Sequence, residues 1–329
     1  MPNKVSFFAP GKLYLAGEYA VTQPHGQAII MPVKKGIKVT VESQKQSSII
    51  NQQYPLENLT FKFIEEIKNP YVRLAIEIVR QWTMSKGMVW KPFKLTIDST
   101  LVAEHGKYGL GSSGAITVAV IAGLLKFYGI KFSPLMLYQL AVIATIQNYP
   151  DTSFGDVACS SFNQMILYQK FTPIMVSMLK TLHVEKLLNM EWEGLIIKPV
   201  EIAIDLPMVI YSGNSAHSHE MVKKVQPYLN KMWVEKSNQL VQNLLVRYQP
   251  MIIQNLQQHL LDLQKQSQVM MVTENMQRII QIANEGGGVA KMSGAGGGDC
   301  MLVFIAKHKQ TWFVNQMKSL NFLILSDII

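Results

Sequence analysis

Apolar and polar residues alternate in short runs over residues 3–16 and 28–43. VSFFAP, AIIMPV and IKVTVES carry the strand-type residues there, which predicts the start of a β-sheet. The period changes between Asn69 and Met84, where Val72, Ala75, Ile76 and Val79 fall on one helical face. Phe93, Leu95 and Ile97 alternate again as a strand. A glycine loop follows, then two apolar runs read as buried helices, Ala115 to about Tyr128 and Pro134 to about Gln147. The polar loop NYPDTSFGD leads into VACSSFNQMILY. After Gly194 the character shifts. LIIKPVEIAI and MVIYSGN read as strands, and a long helical region from Ser218 to Ala283 combines Leu and Ile at helical spacing with a Gln-rich polar face. GGGVAKMSGAGGGD then forms a second glycine loop ahead of the strand CMLVFIA, with Gly286 to Gly288 ending the preceding helix. This order predicts two domains, residues 1–190 and 191–329.

Composition narrows the class. The 329-residue chain is 48% hydrophobic and 16% charged, a globular balance with material for a large core. The longest apolar stretches, Ala115–Leu125 and Leu135–Ile146, fall short of the ~20 residues a bilayer crossing needs, so no membrane role is expected. MPNKVSFFAPGK reaches Pro and Gly too early for a signal-peptide core, and a cytoplasmic location is expected. The two cysteines, Cys159 and Cys300, form no CxxC pair and read as small buried residues. A net charge of +9 invites nucleic acid, but the basic residues run no longer than Lys34-Lys35 and Lys223-Lys224 and lack interleaved aromatics. No nucleic-acid partner is expected; an anionic small molecule or a solvated basic surface accounts for the excess.

The first glycine loop, KYGLGSSGA at 107–115, carries the candidate chemistry. Gly109, Gly111 and Gly114 satisfy GxGxxG, but no Asp or Glu occurs from Ala115 through Pro150, where a dinucleotide site needs one for the ribose. Neither Gly11-Lys12 nor Gly106-Lys107 is followed by Ser or Thr, so the GxxxxGK[ST] phosphate loop fails. Protein-kinase HRD and DFG strings are missing. Two readings remain on the residues alone. Backbone N–H groups at a helix start near Ser112 could cradle an anion, with Ser112 and Ser113 capping the helix or reaching a metal-bound triphosphate, or the loop is an ordinary capped turn.

GLGSSGA, together with APGKLYLAGEYAV at 9–21 and KMSGAGGGDC at 291–300, resembles the three motifs of the GHMP kinase superfamily in order and spacing. GKLYLAGEYAV and SFGDVACSSF are most similar to the bacterial phosphomevalonate kinase branch, which transfers phosphate from ATP to 5-phosphomevalonate in isoprenoid precursor synthesis. The resemblance implies an α+β fold in two domains, the N-terminal one like ribosomal protein S5 domain 2 and the C-terminal one ferredoxin-like, with ATP and acceptor meeting between them. It implies ATP and Mg²⁺ as cofactors. The Gln-rich helices of the second domain could form a dimer face or a solvated one, so a monomer or homodimer is expected. Mevalonate kinase, homoserine kinase and a non-catalytic sensor on the same scaffold are the alternatives.

Carried over by resemblance, Lys12 stabilises and orients the transferred phosphoryl and Asp156 is the catalytic aspartate, as base or as orienting charge. Lys107, Gly109, Leu110, Gly111, Ser112, Ser113 and Gly114 would hold ATP, with Ser113 a magnesium ligand. The second magnesium ligand of mevalonate kinases, a Glu, corresponds here to Thr145. Tyr19 replaces the His that mevalonate kinases commonly carry in GEH. Lys12, Tyr19, Ser153, Ser218, Lys291, Ser293, Gly294 and Ala295 are expected to face the acceptor. Asp299 is read as structural. His217 and His219 lack the accompanying ligands of a zinc site. The whole reading requires Ser112, Lys12 and Asp156 to border one nucleotide cavity.

Overall fold

The computed structural model describes residues 3–103, 106–213, 218–325 and 328–329, with the backbone alone at 103, 106 and 107. Strands β1 (Lys4–Ala16) and β2 (Gln27–Ser43) form a long antiparallel pair. AIIMPV and IKVTVES, which read as two runs, are one strand of 17 residues. Pro32 is tolerated inside it because it stands opposite Lys12, beside a register shift between Pro10 and Lys12 that relaxes the ladder where Pro lacks its N–H.

β3 (Ser48–Asn51) and β4 (Leu59–Thr60) precede α1 (Pro70–Ser85) and β5 (Phe93–Ser99). Asn69 caps α1 by accepting from the N–H groups of Tyr71 and Val72, with Pro70 in the first turn, and Val72, Ala75, Ile76 and Val79 are buried as the spacing predicted. A short ribbon, β6 (Val102–Ala103) and β7 (Gly106–Lys107), leads to α2 (Ser112–Phe127), α3 (Pro134–Thr145) and α4 (Gly155–Phe162). α2 and α3 are apolar on nearly every face because nearly every face is buried. β8 (Ile166–Gln169), α5 (Pro173–Thr181), α6 (Val184–Leu188) and β9 (Ile196–Pro199) complete this half.

Among the described residues the large sheet runs β4-β3-β5-β2-β8-β9, with β1 on the other edge of β2. β2 is long enough for β5 to pair with its end and β8 with its start. α2 and α4 lie against β1 and β2, which brings their N-termini to the kinked middle of β1.

The second half contains β10 (Met208–Tyr211), α7 (Ser218–Val225), α8 (Lys231–Val246), α9 (Pro250–Ser267), α10 (Glu274–Glu285), β11 (Val289–Ser293), β12 (Cys300–Phe304), α11 (Lys307–Ser319) and β13 (Leu323–Ile324). Its sheet runs β11-β12-β10-β13, antiparallel throughout. Three expectations change here. VEIAI alternates like a strand, but residues 200–207 form none. AKMS, read as part of a glycine loop, is strand β11. β9 pairs with β8 in the large sheet, so the domain boundary we propose follows Pro199 rather than residue 190. The second core reaches back across the interface to Tyr19 and Ala20. Among the described residues, no helix is long and apolar enough to cross a membrane. Cys159 and Cys300 are buried free thiols.

Candidate active site

The glycine loop enters α2 through Gly111, whose φ of 77° is a left-handed conformation that glycine adopts without penalty. Gly111, the N-cap of α2, has no side chain to cap the helix, and the Asp156 carboxylate meets its first turn at the Gly114 N–H. No cap hydrogen bond from Ser112 or Ser113 occurs at this helix start. Both line an open cleft with Tyr54, Tyr71 and Ile97. Tyr71 stacks on Tyr149, with ring centroids 5.1 Å apart, and its hydroxyl lies in hydrogen-bonding reach of Tyr149 and Ser113. Burial pushes that phenol up to about 12.

Lys12 meets the same loop from β1. Its N–H donates to the Leu110 carbonyl at 2.8 Å, and its ammonium donates to the Gly109 carbonyl at 2.9 Å while lying 5.2 Å from the centroid of the Tyr14 ring. The approach is close enough that a Cβ on Gly111 would come within 3.0 Å of the Lys12 side chain. The opposite wall comes from α4. Its N-cap, Phe154, takes the unusual φ of 58°, and this turn sets Asp156 in the first helical turn. The Ser160 hydroxyl, donating to the Pro10 carbonyl at 2.7 Å, fastens α4 to β1. Asp156 accepts from the Val157 N–H at 2.9 Å and packs against α2 where a Cβ on Gly114 would sit 2.7 Å from its carboxylate.

Burial raises the Asp156 pKa, while the Lys12 charge and the N–H groups of Val157, Asp156 and Gly114 oppose the rise. Two helix N-termini and one lysine thus surround one carboxylate. Lys12 and Asp156 lie against the loop from Gly109 to Gly114, while Ser112 and Ser113 line a cleft on its other side that, among the described residues, neither Lys12 nor Asp156 lines.

The acceptor-facing set divides. Ser153 lies beside the site, its hydroxyl 3.1 Å from that of Tyr14. Gly294 has open space where a side chain would be. Lys291 does not face the cleft. It is fully buried, its ammonium paired with Glu18 and donating to the Met292 carbonyl at 2.6 Å, so it serves as a tie between the halves. Tyr19 is also buried, donating to the Ala295 carbonyl at 2.6 Å, and the Ser293 hydroxyl accepts from the Tyr14 N–H at 2.8 Å. Tyr19, Ser293 and Ala295 therefore join the first motif to the third instead of presenting polar atoms to a ligand. Ser218 is exposed at the start of α7. The Lys107 side chain and His217 lie outside the described residues. Asp299 is buried in the turn before β12, in keeping with a structural role.

Sequence reasoning passed over Tyr14, Glu18 and Lys170. The first two were legible only as letters inside the first motif, and Lys170 carried no motif signal. Thr145, buried, donates its hydroxyl to the Ala141 carbonyl at 2.8 Å within its own helix. No cluster of three metal-ligating His, Cys, Asp or Glu occurs among the described residues.

A glycine-led helix start with a lysine and an aspartate beside it, next to an open cleft, suits phosphoryl transfer to a small molecule. Residues 70–164 match the GHMP kinases N terminal domain and residues 250–311 the GHMP kinases C terminal domain, so the chain carries both domains of a GHMP kinase. It is 26% identical to a phosphomevalonate kinase from Streptomyces sp. (strain CL190), covering 90% of this chain and 88% of that one. It is also 26% identical to a mevalonate kinase from Thermococcus sibiricus, covering 94% and 91%. The structure of Streptococcus pneumoniae phosphomevalonate kinase in complex with phosphomevalonate and AMPPNP superposes with a TM-score of 0.89 over 99% of this chain and 100% of that one; at 23% identity this likeness speaks for the fold.

Proposed function

We propose that the protein transfers the γ-phosphoryl group of ATP to the phosphate of 5-phosphomevalonate, giving 5-diphosphomevalonate and ADP. The observation that carries this reading is the Lys12 ammonium, fixed on the Gly109 carbonyl beside Asp156 at the N-terminus of α2. Phosphoryl transfer asks a protein mainly to align two oxygens and neutralise charge spread over the moving group. The N–H groups of Gly111 to Ser113 would hold the donor phosphates, and the cleft beside Ser112, Ser113 and Tyr71 its base and ribose. Lys12 would bridge donor and acceptor oxygens.

The acceptor phosphate has a second pKa near ~6 and is largely ionised at neutral pH, so little deprotonation is required. Asp156 accordingly acts first as the counter-charge that orients Lys12. Ser153 and the open face of Gly294 would meet the acceptor, and Lys107 and Ser218 stay candidates for its charged groups.

With no carboxylate at Thr145, the Ser113 hydroxyl would hold a magnesium ion whose remaining ligands would be nucleotide and water oxygens. Such an ion, when bound, neutralises the β- and γ-phosphates. The Streptomyces relative and the missing carboxylate at Thr145 favour the phosphorylated acceptor; the archaeal relative keeps mevalonate as the second reading. Coupled ADP release should be measured with Mg-ATP against 5-phosphomevalonate, mevalonate, homoserine and galactose. Turnover with 5-phosphomevalonate alone is expected, and turnover confined to any other acceptor overturns the proposal.

A further inference from the structure

The segment between α3 and α4 makes an unusual demand. It must turn through Phe154 in a left-handed conformation to place Ser153 and Asp156 side by side, and Phe154 has a side chain that disfavours that conformation. Something outside the loop has to hold it. Two residues two apart at the end of β8 do so. The Lys170 ammonium donates to the Thr152 carbonyl at 2.6 Å and to the Pro150 carbonyl at 3.2 Å. The buried Tyr168 hydroxyl donates to the Ser153 carbonyl at 2.6 Å and is 2.9 Å from the hydroxyl of Tyr138. Three of the four carbonyls from Pro150 to Ser153 that Lys170 and Tyr168 could reach, those of 150, 152 and 153, are thus held from one strand end.

Lys170 is placed with care. Its ammonium lies 5.3 Å from the Phe154 ring centroid and 5.7 Å from that of Phe171, and these two rings stack on each other at 6.0 Å. The lysine therefore grips both the carbonyls ahead of the turn and the ring of the residue that makes it.

We propose that Lys170 is a positioning residue for the acceptor side of the active site, holding the loop that presents Ser153 and leads into Asp156. It touches no reacting atom and works through these neighbours. The inference rests on the proposed function for its choice of acceptor, but not for its geometry. Burial lowers the Lys170 pKa to about 8, and the charge of Asp151, on the held loop, opposes the shift. The ammonium is therefore protonated at neutral pH and able to make its charge-assisted bonds.

The test compares wild type, Lys170→Met and Lys170→Arg, varying ATP and acceptor separately. Methionine keeps an apolar stem between the rings and removes the donor, whereas arginine keeps charge and donors. Loss of hydrogen bonds from a charged group should raise the acceptor KM about tenfold or more in Lys170→Met. The ATP KM should stay within about threefold, since the α2 N-terminus is untouched, and Lys170→Arg should recover most of the loss. An unchanged acceptor KM in Lys170→Met, or equal shifts in both KM values, overturns the proposal. If wild type uses mevalonate instead, the proposed function fails and the same comparison is read with mevalonate. If wild type uses no acceptor offered, amide hydrogen exchange over residues 150–156 decides: faster exchange in Lys170→Met supports the role, and unchanged exchange overturns it.

Discussion

The loop at 109–114 opens a helix, and the loop at 294–299 joins two antiparallel strands, β11 and β12. Both are glycine-rich, both follow a lysine in sequence, and both lie near the first motif. In the first loop, the glycines make room for charged side chains: Lys12 passes against Gly111, and Asp156 fills the space beside Gly114. In the second, the neighbouring polar atoms are consumed in holding β1 and its following turn, through Ser293 to Tyr14 and Ala295 to Tyr19. Lys12, which reaches the first loop from β1, and Lys291, which precedes the second, differ in the same way. Lys12 gives its ammonium one carbonyl acceptor and an aromatic ring, with no carboxylate in ion-pair contact among the described residues, whereas Lys291 is sealed against Glu18. Composition marks a place where backbone comes close to something; the partner decides whether that something is a ligand or another part of the chain.

The contrast can be broken most severely at Lys291. Lys291→Met strands the Glu18 carboxylate in the interior and should cost about 3–5 kcal/mol of stability, measured by denaturant unfolding, with much of the loss restored by a second change, Glu18→Leu. A loss below about 1 kcal/mol would mean that the pair is not a tie between the halves. Lys12→Met and Asp156→Asn should act in the opposite sense. Each should lower kcat at least about 100-fold while leaving the melting temperature near that of wild type, because their charges serve the transition state. Gly114→Ala tests the packing between these regions. Its methyl would press on the Asp156 carboxylate, and an overpacking cost of about 1–3 kcal/mol should appear with reduced kcat. Tyr19→Phe removes one buried bond to the third motif and should cost about 1 kcal/mol of stability with kcat little changed.

A gentler probe is pH. The acceptor is ionised above about pH 7, so kcat should be nearly flat there. Lys170 loses its proton as pH rises through about 8, well below the ordinary lysine value of 10.5, so the acceptor KM should climb above that point. The Lys170→Arg protein should lack the climb, and a wild-type KM that is flat to pH 9 would disconnect Lys170 from the site.

Much of the architecture was open to the sequence because it is local. The face of α1 follows from spacing at Val72, Ala75, Ile76 and Val79, the strand β5 from alternation, and the start of α2 from the glycine loop. Lys12 and Asp156 were legible through resemblance of motifs, and their meeting follows from the way β1 and α4 pack. What could not be seen is long-range pairing. Lys291 and Glu18 are 273 positions apart, and nothing at either position announces the other. The continuity of β2 through Pro32 depends on a kink in its partner strand. Lys170 owes its role to a loop whose strained turn is visible only in three dimensions.

A crystal structure with a non-hydrolysable ATP analogue and 5-phosphomevalonate bears most directly on the central assignment. The account predicts the donor phosphates on the first N–H groups of α2, with the acceptor phosphate between Lys12 and Ser153 and in reach of Asp156. Nucleotide bound with its phosphates away from Gly111–Ser113, or an acceptor remote from Lys12, would contradict it.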